Sequence, residues 1–225
     1  MSSVLTLEGV LSSEELKSLA AQLERARFVD GAASAGGDAR QQKRVLQLDR
    51  AGDIQREPGE LVVRALLRHA LLQAAVLPKS TRHPNINRYE PGMHYGLHLD
   101  SPIMTGAVTT RSDVSITVFL NEPESYGGGE LRILRDGAVL ELKGRAGDAV
   151  IYPADSLHEV KPVTSGVRLV AVTWCQSMIR DAAQRALAFD LGRSILRLET
   201  ERVDSDLLHT LRRCHRNLLR MWIEI

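Results

Sequence analysis

The sequence predicts an α+β fold, in which a β core lies between helices at the two ends of the chain. Apolar residues recur with helical spacing near the N-terminus and again after residue 177. From about residue 83 to 175, short alternating or apolar runs are separated by residues that favour turns. Many short strands at such spacing are typical of a sandwich or barrel, of which the jelly roll is one form.

The N-terminal part, residues 1–79, is predicted to be helical and to pack on the core. A first helix is expected to begin at Ser12 or Ser13, because serine caps followed by early acidic residues are typical of a helix N-terminus. A second helix is expected over about 57–75, where apolar residues share one side. Between the two helices, the small, glycine-rich stretch 30–40 predicts a surface loop.

Residues 80–176 are predicted to form the β core. The dipeptide Asp136-Gly137 between two short apolar runs is a strong hairpin signal. The other runs are bounded by glycine, proline or aspartate, which also favour turns. The predicted strands cover about 84–90, 97–100, 113–121, 129–134, 138–142, 148–152 and 167–175.

The C-terminal part, residues 177–225, is predicted to be a helical extension. One helix is expected to run to roughly Glu199, and another to follow a cap at Asp204 or Ser205. This last helix carries a basic face, which is either solvated or in contact with another subunit. We therefore expect that any homo-oligomer forms through the C-terminal helices.

Composition excludes some classes of protein. The 225 residues include 29 basic and 28 acidic side chains and have a formal charge of +1, which argues against a dedicated nucleic-acid binder. No apolar run is long enough for a membrane span, so no membrane role is expected. The two cysteines predict free thiols rather than a disulfide framework. With no basic and apolar leader at the N-terminus, the expected location is the cytoplasm.

The pattern that indicates chemistry is His98-Leu99-Asp100, followed much later by His158. In a strand, residues two apart point to the same face, so His98 and Asp100 can converge on one ion. A histidine from another strand completes a set of two imidazoles and one carboxylate. This set leaves coordination positions open and suits Fe(II) oxygen chemistry, whereas a structural zinc site requires four protein ligands.

Arg168 strengthens the hypothesis of a metal site for Fe(II) oxygen chemistry. The alternation of residues 167–175 puts Arg168, Val170, Val172 and Trp174 on one face of a strand. An arginine that points inward from an apolar strand is expensive to bury unless it meets an anion. A carboxylate bound by two parallel hydrogen bonds is the natural partner. That carboxylate belongs either to a ligand or to an Asp or Glu of the chain itself.

Several longer motifs resemble one family of enzymes. The stretch Asn87–Asp100 is similar to the iron-binding segment of bacterial PKHD-type hydroxylases, which are relatives of the prolyl 4-hydroxylases. These enzymes belong to the Fe(II)/2-oxoglutarate-dependent dioxygenases. The resemblance is close over roughly 80–181 and looser in the flanking helices. The further matching stretches are 113–121, 126–131, 147–153, 157–160 and 166–181.

This resemblance implies a double-stranded β-helix, or jelly-roll, core in which His98, Asp100 and His158 bind one Fe(II) per subunit. Arg168 would bind the C5 carboxylate of 2-oxoglutarate. The implied reaction uses O2 and converts 2-oxoglutarate to succinate while a primary substrate is hydroxylated. Because Asp100 supplies a carboxylate where related halogenases have a small residue, hydroxylation is favoured over halogenation. The family also suggests L-ascorbate (vitamin C) as a further cofactor.

The resemblance leaves the primary substrate open between a peptidyl residue, a free amino acid and a siderophore-like metabolite. The competing hypothesis is a cupin-like Zn or Mn protein with hydrolase or isomerase activity and no 2-oxoglutarate. That hypothesis explains the histidines and Asp100 but gives Arg168 no role. The stretch Ser101–Ser112 after the expected metal ligand is either a substrate lid or an ordinary loop between strands.

Other side chains are candidates for a place around this site. Tyr89, on the same strand face as Asn87, either donates a hydrogen bond to the co-substrate or is a packed core tyrosine. Thr117 or Ser115 is a candidate for a second hydrogen bond to the C5 carboxylate. Trp174 either forms a wall of the site or belongs to the core. His94 is expected to lie near the metal ligands or to face the substrate.

Overall fold

The computed structural model describes residues 4–34, 40–49, 56–105, 109–201 and 204–225. The predicted loop at 30–40 and the predicted lid at 101–112 therefore lie partly outside the described residues. The helices are α1 (Ser13–Glu24), α2 (Glu57–Arg68), α3 (Ala70–Val76), α4 (Ala182–Thr200) and α5 (Ser205–Trp222). None of the helices in the described part of the chain combines the length and apolar character that a membrane span requires.

The described strands are short and alternate with turns, as the sequence predicts for residues 80–176. They are β1 (Leu5–Leu7), β2 (Phe28–Asp30), β3 (Lys43–Arg44), β4 (Leu46–Leu48), β5 (Pro78–Thr81), β6 (Asn85–Tyr89), β7 (His94–His98), β8 (Ile103–Met104), β9 (Thr110–Arg111), β10 (Val114–Phe119), β11 (Tyr126–Gly128), β12 (Leu131–Arg135), β13 (Ala138–Leu142), β14 (Ala149–Pro153), β15 (Leu157–Val160), β16 (Val163–Gly166) and β17 (Arg168–Ser177).

Two antiparallel sheets form the β core. The large sheet has the strand order β1-β14-β10-β17-β6-β4-β2, and β5 also pairs with β17. The small sheet has the order β13-β12-β15-β7-β3. Two further antiparallel strand pairs, β11–β16 and β8–β9, lie outside these two sheets. The described chain is therefore α+β, as predicted.

The large sheet is covered on both faces. All six residues of β10 are buried, which is the pattern of a central strand between two layers. One apolar cluster joins the large sheet to α1, α2 and α3, and includes Leu19, Leu66 and Ile116. The other cluster contains residues of both sheets, such as Ile133 and Tyr152. Some residues of this second cluster, such as Tyr152, also line the cavity described below.

The helix ends follow the predicted capping chemistry. Ser12 caps α1 and forms a reciprocal capping box with Glu15. Asp204 caps α5, because its carboxylate accepts the Leu207 N–H. The predicted single helix over 57–75 is instead two helices. His69 has an extended conformation with ψ of 116° and separates α2 from α3.

The N-terminal part contains strands as well as the predicted helices. Strands β1, β2 and β4 join the large sheet, and β3 joins the small one. Each has only two or three residues, so alternation in the sequence is too brief to indicate a strand. Pairing with β14, β6 and β7 stabilises these segments. The two sheets consequently include residues well before position 80.

Candidate active site

His98, Asp100 and His158 come together at one point of the small sheet. His98 is the last residue of β7, and it lies directly opposite His158 of the neighbouring strand β15. Asp100 follows two residues after the end of β7. One ligand atom from each of the three residues lies within 4.8 Å of the others. Among the described residues, this is the one group of histidine, cysteine or acidic side chains with such spacing.

Hydrogen bonds orient both imidazoles in the same way. Nδ1 of His98 lies 2.7 Å from the Gly96 carbonyl oxygen, and Nδ1 of His158 lies 3.0 Å from that of Ser156. Because a carbonyl oxygen can only accept, each Nδ1 carries the proton and donates it. Each Nε2 is then left as a lone-pair donor, the form in which histidine binds metals.

Asp100 is held by a residue of the other sheet. Ser115 of β10 donates from Oγ to Asp100 Oδ2 over 2.5 Å. The same carboxylate oxygen lies 3.8 Å from Nε2 of His158. Ser115 therefore orients the carboxylate toward the two imidazoles, a role different from the carboxylate contact expected for it. Sequence alone did not suggest this, because the bond joins β10 of the large sheet to a residue that follows β7 of the small sheet.

The surroundings of the three residues are aromatic and buried. The Tyr95 ring stacks on His98 at a centroid distance of 3.6 Å, and the Tyr152 ring meets His158 edge-on. Burial, and then the neighbouring His158, lower the pKa of His98 to about 4. Burial likewise raises the pKa of both tyrosines above the usual value. The imidazole of His98 and the phenols of Tyr95 and Tyr152 are therefore neutral near pH 7.

Arg168, the first residue of β17, points into the same cavity and is 1% exposed. None of its three guanidinium nitrogens has a hydrogen-bond partner among the described atoms. No acidic side chain of the described residues lies within 4.0 Å of it, so the internal ion pair is not observed. A buried guanidinium without acceptors is costly, and a carboxylate is the anion that best matches its paired donors.

The side chain of Arg168 is closely surrounded by neighbouring residues of the cavity wall. The Tyr89 ring centroid lies 5.1 Å from Arg168 Cζ. Gly129 has a φ of +69°, and a Cβ there would lie 2.9 Å from Arg168 Cδ, so the arginine side chain occupies space that only glycine leaves. Burial raises the pKa of Tyr89 and Tyr126, and Arg168 opposes the rise at both. The Tyr126 hydroxyl also lacks a hydrogen-bond partner among the described atoms.

The cavity has a volume of about 440 Å³ and brings most of the predicted residues together. Its lining includes Tyr89, Asn87, Thr117 and Trp174, together with the three potential ligands and Arg168. The side-chain oxygen of Asn87 accepts a hydrogen bond from Gln47 over 2.9 Å. Of the four residues predicted to share one face of β17, Arg168, Val172 and Trp174 line the cavity, and Val170 is buried in the second apolar cluster.

Besides Ser115, which bonds to Asp100, His94 is the predicted residue that is not found among the described lining residues. The physical reason is a β-bulge in β7. Val160 pairs with Tyr95 although His158 pairs with His98, so β7 contains one extra residue in this interval. The bulge reverses the alternation, which brings Tyr95 rather than His94 to the cavity. His94 pairs instead with Arg44 at the edge of the small sheet.

Sequence analysis also missed Lys43, which lines the cavity from the edge strand β3. Burial lowers its pKa to about 8, while Asp100 and then Asp30 oppose that change, so its ammonium remains largely charged at pH 7. A signal was present in the alternation of Lys43, Val45 and Gln47, all of which are buried. A charged residue in phase with an apolar one indicates an inward-facing lysine.

The residues of the cavity fit an iron ion and a dicarboxylate. Two imidazole nitrogens and one carboxylate form a three-ligand set, which leaves positions open for other ligands. The buried guanidinium of Arg168 offers paired donors to an anion in the same cavity. A zinc site of the closed structural type would require a fourth protein ligand, and the described residues provide no fourth member of the group.

Comparisons with known proteins agree with this chemistry. Residues 84–176 match the 2OG-Fe(II) oxygenase superfamily, and residues 182–224 match the PKHD-type hydroxylase C-terminal domain. A PKHD-type hydroxylase of Hyphomonas neptunium is 46% identical over 224 residues, which cover 98% of this chain and 99% of the relative. A PKHD-type hydroxylase of Paraburkholderia phymatum is 43% identical over 223 residues, which cover 97% and 98%.

The fold is also shared with solved structures. The crystal structure of a Pseudomonas putida prolyl-4-hydroxylase superposes with a TM-score of 0.51 at 20% sequence identity, covering 77% of this chain and 92% of that chain. At this identity the likeness concerns the fold alone. The close relatives, by contrast, match almost the full length of the chain at more than 40% identity. The chain therefore belongs to the PKHD-type hydroxylases of the 2OG-Fe(II) oxygenase superfamily, and it is a 2-oxoglutarate-dependent hydroxylase.

Proposed function

We propose that His98, Asp100 and His158 bind one Fe(II) per subunit and that Arg168 binds the C5 carboxylate of 2-oxoglutarate. One observation carries this assignment. A guanidinium that is 1% exposed and has no acceptor among the described atoms opens into the cavity that the three ligand residues line. The cost of burying such a group is recovered when a carboxylate binds to it. O2 and 2-oxoglutarate are the co-substrates that the family implies.

When bound, Fe(II) and 2-oxoglutarate supply oxygen activation, in which the oxo acid becomes succinate and CO2 while the primary substrate is hydroxylated. The chain's own residues prepare the site for this reaction. The carbonyls of Gly96 and Ser156 keep each histidine Nε2 available. Ser115 keeps Asp100 turned toward the same point. These contacts hold the three donors in place before any ligand arrives, which lowers the cost of binding.

The remaining wall residues orient the co-substrate and exclude water. Tyr89 lies against the Arg168 guanidinium and limits where a carboxylate can sit. Thr117 is buried, pairs with Val172 of the neighbouring strand β17 and lines the cavity. It is proposed to donate a hydrogen bond to that carboxylate. Asn87 and Trp174 are proposed to shape the side of the cavity nearer the primary substrate. Because Asp100 is a full carboxylate ligand, we infer hydroxylation rather than halogenation.

Other parts of the proposal rest on the resemblance. We infer that the two antiparallel sheets form a double-stranded β-helix centred on residues 80–176, with residues 1–79 and 177–225 as its flanking parts. A cytoplasmic location agrees with two free cysteines. Self-association through the C-terminal helices agrees with exposed apolar side chains such as Leu196 and Met221. L-ascorbate is a family expectation that no described contact specifically supports.

The competing cupin-like hypothesis is not favoured. A Zn or Mn enzyme without 2-oxoglutarate would use the three ligands, yet it leaves Arg168 buried without an acceptor. The family match is to oxygenases that use 2-oxoglutarate. Arg168 therefore separates the two hypotheses.

A matched pair of variants tests the assignment under anaerobic conditions. Arg168→Ala is expected to raise the dissociation constant for 2-oxoglutarate by at least about 30-fold, since truncating one partner of a buried charged pair costs about 2–5 kcal/mol. Its affinity for Fe(II) is expected to change little. Asp100→Ala is expected to weaken Fe(II) binding itself. Equilibrium dialysis of Fe(II) and calorimetric titration of 2-oxoglutarate measure the two affinities.

Equal losses of both affinities in Arg168→Ala would contradict its assignment to the co-substrate. Full retention of Fe(II) by Asp100→Ala would contradict the ligand set. Exposure of the Fe(II)-loaded wild type to O2 with candidate substrates then tests the reaction through succinate formation. The Asp100→Ala variant is the control for succinate that arises without the bound metal.

A further inference from the structure

The phenol of Tyr126 is a second buried polar group beside Arg168. Tyr126 is the first residue of β11 and is 4% exposed. Its hydroxyl oxygen is buried and has no hydrogen-bond partner within the described part of the chain. Burying a hydroxyl in this way is destabilising, because its hydrogen bonds with water are lost and not replaced. The fold nevertheless retains this hydroxyl in its interior.

Packing around Gly129 brings the phenol and the guanidinium together. A Cβ on Gly129 would lie 2.9 Å from Arg168 Cδ and 3.2 Å from Tyr126 Cε2, so the two side chains border the same glycine. Burial raises the pKa of Tyr126, and Arg168 is the strongest of the groups that oppose this rise. Glu130 and Glu124 act on the phenol more weakly, and neither accepts its proton in the described contacts. Arg168 is therefore the charged group closest in effect to the Tyr126 hydroxyl.

Contacts from Lys143 and Gly166 hold Tyr126 in place. Lys143 Nζ donates to the Tyr126 carbonyl oxygen over 2.6 Å and lies 4.1 Å from the centroid of the Tyr126 ring. Gly166 pairs with Tyr126 in β16, where a Cβ would lie 3.0 Å from Tyr126 Cα. The phenol is thus fixed before any ligand binds, which lowers the cost of a contact with it.

The two neighbouring groups lack an acceptor. A guanidinium has only N–H donors, whereas a phenol hydroxyl both donates and accepts. The Tyr126 oxygen can share a hydrogen of Arg168, but the Tyr126 O–H cannot donate back to a guanidinium. Among the described atoms nothing else accepts that proton. A carboxylate has about four lone-pair sites, so one that forms two parallel bonds with Arg168 still accepts a third donor.

We propose that Tyr126 is a co-substrate-binding residue, whose hydroxyl donates a hydrogen bond to the C5 carboxylate of 2-oxoglutarate beside Arg168. The inference rests on the proposed function, because it assumes that this carboxylate binds Arg168. Tyr126 does not itself line the cavity, whereas Arg168 does. Only a group bound directly against the guanidinium therefore reaches the hydroxyl. Tyr126 consequently favours 2-oxoglutarate over 2-oxo acids that lack a second carboxylate.

The test compares 2-oxoglutarate with 2-oxopentanoate, which has the same chain length and no C5 carboxylate. Both acids are titrated calorimetrically into Mn(II)-loaded protein without O2, so binding is measured independently of activity. Tyr126→Phe removes only the hydroxyl and is expected to weaken 2-oxoglutarate binding by about tenfold or more, since the lost hydrogen bond is to a charged group. Its affinity for 2-oxopentanoate is expected to equal that of the wild type. Its urea denaturation midpoint without ligand is expected to be unchanged or higher, because an unpaired buried hydroxyl is removed.

Lys143→Met is the matched control, because it removes a contact to the same tyrosine and leaves the hydroxyl in place. It is expected to bind both acids as the wild type does. Unchanged affinity of Tyr126→Phe for 2-oxoglutarate, or an equal loss for the two acids, overturns the inference. A lower urea midpoint of Tyr126→Phe also overturns it, because the hydroxyl would then already have an acceptor within the fold. A comparable loss in Lys143→Met does so as well, since the position of the ring rather than its hydroxyl would set the affinity.

Titration of the wild type and of Arg168→Ala with 2-oxoglutarate comes first. A wild type without saturable binding, or an Arg168→Ala variant with undiminished affinity, overturns the proposed function and this inference together. Selective loss in Arg168→Ala with no loss in Tyr126→Phe overturns the role of Tyr126 alone.

Discussion

Arg168 and Arg185 are both buried, yet their guanidinium groups differ in whether they form hydrogen bonds with the described residues. Arg185, in α4, is 3% exposed, and its Nη1 donates to the carbonyl oxygens of Ile179 and Arg180 over 2.7 and 2.8 Å. Arg168 is 1% exposed and has no hydrogen-bond partner among the described atoms. Burial lowers the pKa of Arg185, and Asp113 opposes that change.

The difference separates a structural arginine from a ligand-binding one. Arg185 joins the start of α4 to the segment that follows β17, so its cation stabilises the connection between the β core and the C-terminal helices. Arg168 makes no comparable contact, although its burial is equally costly. Its donors are directed into a cavity that can hold a carboxylate. Burial alone therefore does not identify a binding residue, but burial without acceptors beside a cavity does.

The largest expected effect is stabilisation by ligand. With Mn(II) bound and 2-oxoglutarate at 100 times its dissociation constant, the free energy of unfolding should rise by about 2.7 kcal/mol in the wild type. Arg185→Met should show the same rise, and Arg168→Met, if it binds 2-oxoglutarate at least about 30-fold more weakly, should show a rise of at most about 0.9 kcal/mol. Chemical denaturation with and without 2-oxoglutarate measures the rise. A full rise in Arg168→Met, at the same absolute 2-oxoglutarate concentration, would end the distinction between the two arginines.

A smaller effect is expected on the protein without ligand. Arg185→Met should lower the free energy of unfolding by about 2 kcal/mol, because the carbonyls of Ile179 and Arg180 lose a buried donor. Arg168→Met should lower it less or raise it, since replacing an unpaired buried charge by an apolar side chain is often neutral or stabilising. Urea denaturation midpoints of the two variants show which variant has the lower free energy of unfolding. The reverse order would show that Arg168 is the structural residue.

The smallest effect concerns Arg68, an arginine whose side chain is 53% exposed. It donates to both carboxylate oxygens of Glu15, and this hydrogen bonding is the largest cause that lowers the pKa of Glu15 to about 2. A depressed carboxyl pKa stabilises the folded protein above the unfolded value of 4.5, and the contribution is lost as the pH falls toward about 2. At this exposure the contribution should be at most about 1 kcal/mol.

Arg68→Met should therefore destabilise the protein at pH 7 and much less at pH 3. Urea denaturation of wild type and variant at the two pH values gives the difference. Arg68 is the better site for this change than Glu15, because Glu15 also belongs to the capping box of α1. An unchanged difference between pH 7 and pH 3 would show that the ion pair does not cause the stabilisation. Arg64→Met, on the same helix, is the matched control.

The parts of the site that were predicted depend on residue type and short spacing. His98, the later His158 and the inward Arg168 were recognised because two-residue alternation assigns side chains to a strand face. Asp100 was recognised by its spacing from His98, but the strand predicted over 97–100 ends at His98, and Asp100 lies beyond it. The α+β order and the caps of α1 and α5 follow from equally local patterns. The structure brings all four side chains to one cavity, as expected.

The parts that were missed depend on register between distant segments. The bulge in β7 brings Tyr95 rather than His94 to the cavity, and no local sequence pattern indicates the bulge. The bond from Ser115 to Asp100 forms only because two different sheets face each other. Lys43 reaches the cavity through pairing of β3 with β7, which are far apart in the chain.

The chain by itself determined the donor types, their order and the face that His98, His158 and Arg168 take within their own strands, because backbone geometry acts over two to four residues. The tertiary structure decided which strands became neighbours and in which register. Those choices depend on burial and hydrogen bonding summed over the whole core, and they determine the acceptors that each buried cation meets. They are the reason that Arg185 has backbone acceptors while Arg168 faces an open cavity.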